Sequence, residues 1–139
     1  MNNLSDKIIV VLGSAQDGGY PHLGCKKSCC LKARNDITKV RHPSSLALID
    51  VKAKRYWLFD ISSQIKNQLC LLDKYKCKLS GIFITHAHYG HYIGLLELGL
   101  EVLDASAIPV YVMPRMYTFI LDNNPFRMLV ENNNITLKK

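Results

Sequence analysis

Three of the chain's five histidines lie within six positions, in the segment THAHYGHYIG at residues 85–94. His86 and His88 are two residues apart, so their rings point to the same side of an extended backbone. His91 follows three positions later. Neutral imidazole is the commonest metal ligand in proteins, and a catalytic zinc ion takes three protein ligands with one position left for water. The spacing predicts a metal site at His86, His88 and His91. The alternative is a histidine-rich surface loop, or core histidines bonded to backbone.

A second group of metal-binding residue types lies in the glycine-rich segment SAQDGGYPHLGCKKSCC. His22, Cys25, Cys29 and Cys30 fall within nine residues there. A structural zinc ion takes four nitrogen or sulfur ligands in a tetrahedron. These four residues are therefore candidates for a structural zinc site, and the alternative is a set of free thiols in a reducing compartment.

The histidine cluster comes directly after an apolar run that is typical of a strand. Similar runs predict strands at residues 7–13, 45–51, 55–60, 81–85 and 109–113, with a last one beginning at 135. Apolar stripes and capping residues predict helices at 62–74, 91–103, 114–121 and 126–130. Alternating strands and helices indicate an α/β sheet with covered faces. Ligands bind at the carboxyl ends of strands in such sheets, which is where the histidines fall.

Length and composition favour a single soluble domain over residues 1–139. The net charge of +7 is scattered along the chain, which disfavours nucleic-acid binding and suits a small, anionic substrate. No run is long enough for a membrane span or a signal peptide. Five cysteines are an odd number for a secreted disulfide framework, so we expect a cytoplasmic protein with no membrane partner.

The segment IFITHAHYGHYIGLLEL resembles the metal motif of the metallo-β-lactamase superfamily, H-x-H-x-D-H at the end of a sheet strand. VLGSAQDGGYPHLGC and HPSSLALID are more specifically similar to coenzyme PQQ synthesis protein B and its hydrolase-like relatives. The likeness extends over most of the chain in the expected order. It implies the αββα sandwich of that superfamily, with the N-terminal half in this chain, and a metal-dependent hydrolase that uses metal-activated water.

The resemblance also implies roles for individual residues. His86 and His88 match ligands of a first metal, and His91 matches a ligand of a second. The cofactor is expected to be zinc, one or two ions, with iron or manganese as alternatives. Asp60 matches an acidic residue beside the metal loop that orients a ligand histidine or the loop backbone; its alternative role is a charge at the start of the next helix. In the cysteine loop the relatives carry C-x-C-x-x-C, and only Cys25 and Cys30 match that pattern.

Two departures from the family pattern shape the functional hypotheses. Position 90 is glycine where the superfamily has aspartate, so the second metal keeps His91 as its only ligand from this loop. We expect Gly90 either to adopt a positive φ or to leave room for substrate or water, and we expect at most one tightly held metal at the histidine site.

The second departure is that the C-terminal half of the sandwich, with its further ligands, is not recognisable. The alternative to a hydrolase is therefore a truncated or split half-domain that binds metal without turnover. Such a half-domain would self-associate or pair with a complementing C-terminal half. The resemblance also permits oxidative chemistry with iron, and a zinc- or nucleic-acid-binding module is a third hypothesis.

Overall fold

A six-stranded mixed sheet forms the centre of the computed structural model, which describes residues 6–139. The strands are β1 (Lys7–Gly13), β2 (Ser45–Asp50), β3 (Arg55–Phe59), β4 (Lys78–Phe83), β5 (Ile108–Tyr111) and β6 (Ile135–Lys138). They lie side by side in chain order. The first three pair antiparallel, and β3 to β6 run parallel. The predicted strands are all present, and β2 and β3 form the expected hairpin.

The helices are short. They are α1 (Ser28–Arg34), α2 (Ile65–Cys70), α3 (Tyr89–Tyr92), α4 (Pro114–Asp122) and α5 (Phe126–Glu131), with 3-10 turns at Ile37–Lys39, Asp73–Tyr75 and Ile93–Leu98. Sequence patterns did not predict α1. The predicted helix at 62–74 is reduced to α2, and the Ser62 hydroxyl accepts a hydrogen bond from the Gln64 N–H, 3.0 Å away, just before that helix.

The prediction of one continuous helix at 91–103 is wrong. The segment forms α3 and then a 3-10 turn. The cause is backbone pairing with Ile61, whose N–H donates to the His91 carbonyl at 2.9 Å and whose carbonyl accepts from the Gly94 N–H at 3.0 Å. A helix through this segment would need the His91 carbonyl for its own ladder. Tertiary contact with the end of β3 therefore overrides the apolar helical pattern.

The hydrophobic core lies on one face of the sheet, between the strands and the helices. Alternate side chains of each strand point to this face. Its fully buried members include Ala47, Ile49, Leu58, Ile82 and Val110 from the strands and Ile61, Leu95, Leu98 and Ile120 from the connecting segments. No helix in residues 6–139 is long and apolar enough to cross a membrane.

The opposite face of the sheet also carries apolar side chains, but these are only partly covered. Ile9 and Val11 on β1 are 70% and 61% exposed. Phe59, Phe83 and Tyr111 stack across β3, β4 and β5 with ring centroids 5.1 and 4.5 Å apart. We call this surface the aromatic face. Exposed apolar surface of this kind drives association.

We therefore expect the 139-residue chain on its own to self-associate through the aromatic face. Replacing Ile9 and Val11 by lysine places two charges on that face and should shift the chain towards monomer in size-exclusion chromatography with light scattering. A control with lysines at Thr118 in α4 and Asn132 just after α5 adds the same charge at exposed positions outside the sheet. A wild-type monomer that binds no hydrophobic dye would contradict the prediction.

Candidate metal centre

The histidine loop and Asp60 meet at one edge of the sheet because of the strand order. Asp60 directly follows β3, and the histidine loop begins just after β4. These two strands are parallel neighbours, paired from Arg55 with Lys78 to Phe59 with Phe83. Their carboxyl ends therefore lie side by side, in the position where α/β sheets bind ligands.

Asp60 is the centre of the hydrogen bonds in this region. Its carboxylate accepts from the Thr85 N–H at 2.8 Å, from the Thr85 hydroxyl at 2.8 and 2.9 Å, and from His91 Nδ1 at 2.7 Å. The residue is only 7% exposed. Within residues 6–139 this carboxylate thus forms its hydrogen bonds with the histidine loop and none with the start of α2. Its part in catalysis stays a prediction.

The backbone of Asp60 is held in an unusual conformation. Its φ is +64°, in the left-handed region that L-residues other than asparagine and aspartate rarely adopt. The Asp60 N–H donates to the Phe83 carbonyl at 2.8 Å, and the Ser45 hydroxyl donates to the Asp60 carbonyl at 3.0 Å. A main-chain bond to β4 and a side-chain bond from β2 therefore hold Asp60 in this conformation.

The hydrogen bonds assign the same tautomer to two histidines. The Thr85 hydroxyl gives its one proton to Asp60, so at 2.9 Å it accepts from the Nδ1–H of His86. His91 likewise donates its Nδ1–H to Asp60. A neutral imidazole carries one N–H, so Nε2 of both rings keeps a lone pair for a ligand. Carboxylates orient metal-binding histidines in this way in many proteins.

The three histidine rings form one cluster. His86 and His91 have ring centroids 4.0 Å apart, and His86 Nε2 lies 3.1 Å from His88 Nδ1. Two nitrogen ligands on a tetrahedral zinc ion, each at about 2.0–2.1 Å, would be about 3.3 Å apart. This 3.1 Å spacing is that of a hydrogen bond between the two rings, and it is also compatible with both nitrogens binding one cation. His86 and His88 are exposed, so an ion can reach them.

His91 faces a second carboxylate that sequence reasoning missed. Its Nε2 lies 3.5 Å from Asp17 Oδ1, and its side chain is 16% exposed. Asp17 belongs to the glycine-rich segment between β1 and α1, far from the histidines in sequence. The only signal in the sequence was one acidic residue among the glycines of AQDGG.

The donor chemistry fits a zinc ion, while the arrangement is not a closed coordination sphere. Imidazole nitrogen and carboxylate oxygen are ordinary zinc ligands. However, within residues 6–139 no three His, Cys, Asp or Glu side chains are arranged so that they could hold an ion together. The assignment of His86, His88 and His91 as ligands therefore stays a prediction.

The cysteine loop brings its three thiols together. Hydrogen bonds, first from the Lys27 backbone and then from Cys30, lower the pKa of the Cys25 thiol. The pKa of Cys30 is raised: the His22 backbone opposes the shift, but hydrogen bonds with Cys25 and Cys29 together with burial outweigh it. The His22 ring lies beside Gly18, with Nδ1 2.9 Å from the Leu23 carbonyl. The zinc site at His22, Cys25, Cys29 and Cys30 remains untested.

A polar pocket of about 460 Å³ adjoins the candidate centre at Asp17. It lies between the glycine-rich segment, the strand-like stretch before β2 and the start of α2. Polar and charged lining residues are Asp17, Arg41, His42, Ser63, Gln64 and Asn67. A pocket of this size fits a small molecule.

Comparison with known proteins identifies the fold. Coenzyme PQQ synthesis protein B of Rhizobium meliloti is 26% identical over 136 residues, which are 93% of this chain and 44% of that protein. Ribonuclease Z of Thermosynechococcus vestitus is 37% identical over 87 residues, 60% of this chain and 21% of that protein. No protein-family model matches the chain.

The crystal structure of Zn(2+)-bound PqqB from Methylobacterium extorquens superposes with a TM-score of 0.77 at 23% identity, covering 94% of this chain and 44% of that one. The chain therefore has the metallo-β-lactamase fold and spans less than half the length of these relatives, in their N-terminal part. This confirms the fold and the resemblance predicted from the sequence.

Substitution of Asp60 tests whether its carboxylate holds the histidine loop in place. Asp60→Ala leaves the Thr85 and His91 donors without an acceptor and puts alanine at a positive φ, so we expect a loss of about 3 kcal/mol in the free energy of unfolding. Asp60→Asn keeps one acceptor oxygen and tolerates the backbone, so its loss should be smaller. Urea denaturation measures both.

Asp122→Ala removes an exposed carboxylate and serves as the control, with an expected change within about 0.5 kcal/mol. Nitrogen-15 NMR of the imidazoles should show Nδ1–H on His86 and His91 in the wild type. Equal stability of Asp60→Ala and wild type, with the same tautomers, would contradict the role of Asp60.

Proposed function

We propose that this chain forms the metal-binding part of a hydrolase, in which His86, His88 and His91 bind zinc, one or two ions, and water is the nucleophile. The observation that supports this most directly is the network around Asp60. It gives His86 and His91 the Nδ1–H tautomer, so each Nε2 carries a lone pair; that of His86 lies 3.1 Å from His88 Nδ1 and that of His91 lies 3.5 Å from Asp17 Oδ1. The zinc-bound structural neighbour and the resemblance to PQQ synthesis protein B and ribonuclease Z support the hydrolase class.

A bound zinc ion would supply Lewis-acid activation of water at neutral pH. The chain's own residues set the orientation of the imidazoles and the access of solvent to them. Asp60 and Thr85 hold the imidazoles in one orientation, and the buried carboxylate keeps that orientation while the outer rings stay open to solvent. The exposed positions of His86 and His88 leave space for water and substrate beside the ion.

The substrate we propose is a small molecule with a negative charge, bound in the pocket beside Asp17. Arg41 brings positive charge to that pocket, while Ser63, Gln64 and Asn67 offer hydrogen bonds. The bond cleaved is an ester, amide or phosphodiester-like bond. The five free thiols suit a reducing compartment, and on that ground we place the protein in the cytoplasm.

A second candidate function is metal binding without turnover. It is favoured by the absence, within residues 6–139, of any three side chains arranged to hold an ion. A complementing C-terminal half, or a second copy, would then supply the remaining ligands.

Metal binding by the wild-type chain tests the proposed ligands. In a Cys25→Ser, Cys30→Ser background, we expect calorimetric titration with Zn²⁺ to show one bound ion. The His86→Ala, His88→Ala double variant should lose this binding, because both nitrogens of the closely spaced pair are gone. His42→Ala removes a histidine outside the cluster and is the matched control. Titrations with Fe²⁺ and Mn²⁺ rank the alternative metals.

Equal Zn²⁺ binding by the double alanine variant would overturn the ligand assignment. Metal analysis of the same proteins with intact cysteines counts any additional ion in the cysteine loop. Hydrolysis of chromogenic ester and phosphodiester substrates then separates the two functions. Turnover that needs Zn²⁺ and is lost in the double variant supports the hydrolase, whereas Zn²⁺ binding without turnover supports the second candidate.

A further inference from the structure

Gly90 occupies the position where the superfamily motif carries aspartate, and the structure shows why glycine is needed. It lies buried in α3. A Cβ atom at this position would lie 2.7 Å from Asp17 Oδ1 and 2.8 Å from Asp17 Cγ and Cα. Real side chains do not approach so closely. Asp17 therefore fills the space that a side chain at position 90 would take.

This finding corrects both expectations for Gly90. Among residues 6–139 the glycines with positive φ are Gly19 and Gly24, so backbone conformation does not account for Gly90. The space beside it is not vacant for substrate or water either. A carboxylate occupies it, delivered from another segment of the chain.

The segment that carries Asp17 is held firmly on both sides. Before it, the Ala15 N–H donates to the His42 carbonyl at 2.9 Å. After it, a turn closes from Gln16 to Gly19 at 2.8 Å, and Tyr20 pairs with Arg41 through two backbone bonds of 2.8 Å. Asp17 thus has a fixed place beside the histidines.

The contact between Asp17 and His91 is favourable only with a positive charge between the two atoms, either a proton on Nε2 or a metal ion. His91 already donates its Nδ1–H to Asp60, so in the neutral ring Nε2 presents a lone pair to Asp17 Oδ1, 3.5 Å away. A lone pair and a carboxylate oxygen repel each other unless a positive charge lies between them. At 3.5 Å the two atoms are also further apart than in a good hydrogen bond. Nitrogen and oxygen ligands of one zinc ion would be separated by about 3.3 Å.

We propose that Asp17 Oδ1 and His91 Nε2 are paired ligands for a divalent metal ion, with Asp17 taking the place of the carboxylate missing at position 90. This inference rests on the proposed metal site and adds a ligand from the glycine-rich segment. The second metal position then has two ligands from this chain rather than one. Asp17 also lines the polar pocket, so the same carboxylate joins the metal position to the substrate space.

Zn²⁺ titration of the full 139-residue chain in the Cys25→Ser, Cys30→Ser background tests the pair. Removal of a residue that only orients a ligand weakens metal binding about 10–100-fold, so we expect Asp17→Asn, which removes a ligand charge, to weaken one binding event by about tenfold or more. Asp122→Asn removes an equal charge from exposed surface and should leave the affinity unchanged.

A second measurement uses the wild-type fold and does not depend on a variant. In nitrogen-15 NMR, Zn²⁺ should shift the Nε2 resonance of His91 while Nδ1 keeps its proton to Asp60. Unchanged affinity in Asp17→Asn together with a loss in the His86→Ala, His88→Ala variant overturns this inference and leaves the proposed function intact. A wild-type chain without Zn²⁺ binding, or with an unmoved His91 Nε2, overturns it as well.

Discussion

The candidate centre depends on the carboxylate of Asp60, which is buried and, within residues 6–139, accepts its hydrogen bonds from the histidine loop. A buried carboxylate is costly unless it is fully hydrogen bonded. Here the Thr85 N–H, the Thr85 hydroxyl and His91 Nδ1 satisfy it. The same bonds fix the loop's position and the tautomers of two imidazoles. One desolvated group thereby links the stability of the loop to its chemistry.

The sheet makes this interaction available. A carboxylate and the loop it organises are separated by 25 residues, but β3 and β4 are parallel neighbours and end side by side. The left-handed backbone of Asp60 lets the chain leave β3 while its side chain turns towards β4. Strained residues of this kind persist where the surrounding structure determines them, and they cluster at functional sites. Here the bond from the Asp60 N–H to the Phe83 carbonyl and the bond from the Ser45 hydroxyl to the Asp60 carbonyl supply that constraint.

Asp17 and Gly90 show how a ligand position can be relocated. The metal loop carries no side chain at position 90, and a carboxylate from the segment after β1 packs against the bare backbone instead. Such an exchange requires the two segments to approach within van der Waals contact, which only glycine permits. Glycine at 90 and aspartate at 17 are therefore one feature of the structure, although 73 positions separate them in the chain.

The sequence by itself determined the fold class, the six strands and the residue types of the candidate site. Strands such as Lys7–Gly13 are recognisable because a short β-branched apolar run closed by glycine is a local pattern, and the histidine spacing is local as well. Tertiary structure alone decided the rest. The backbone of Ile61 broke the predicted helix at 91–103, and the packing of Asp17 on Gly90 gave His91 a second carboxylate. Contacts between distant segments carry no local periodicity, so no single stretch of sequence encodes them.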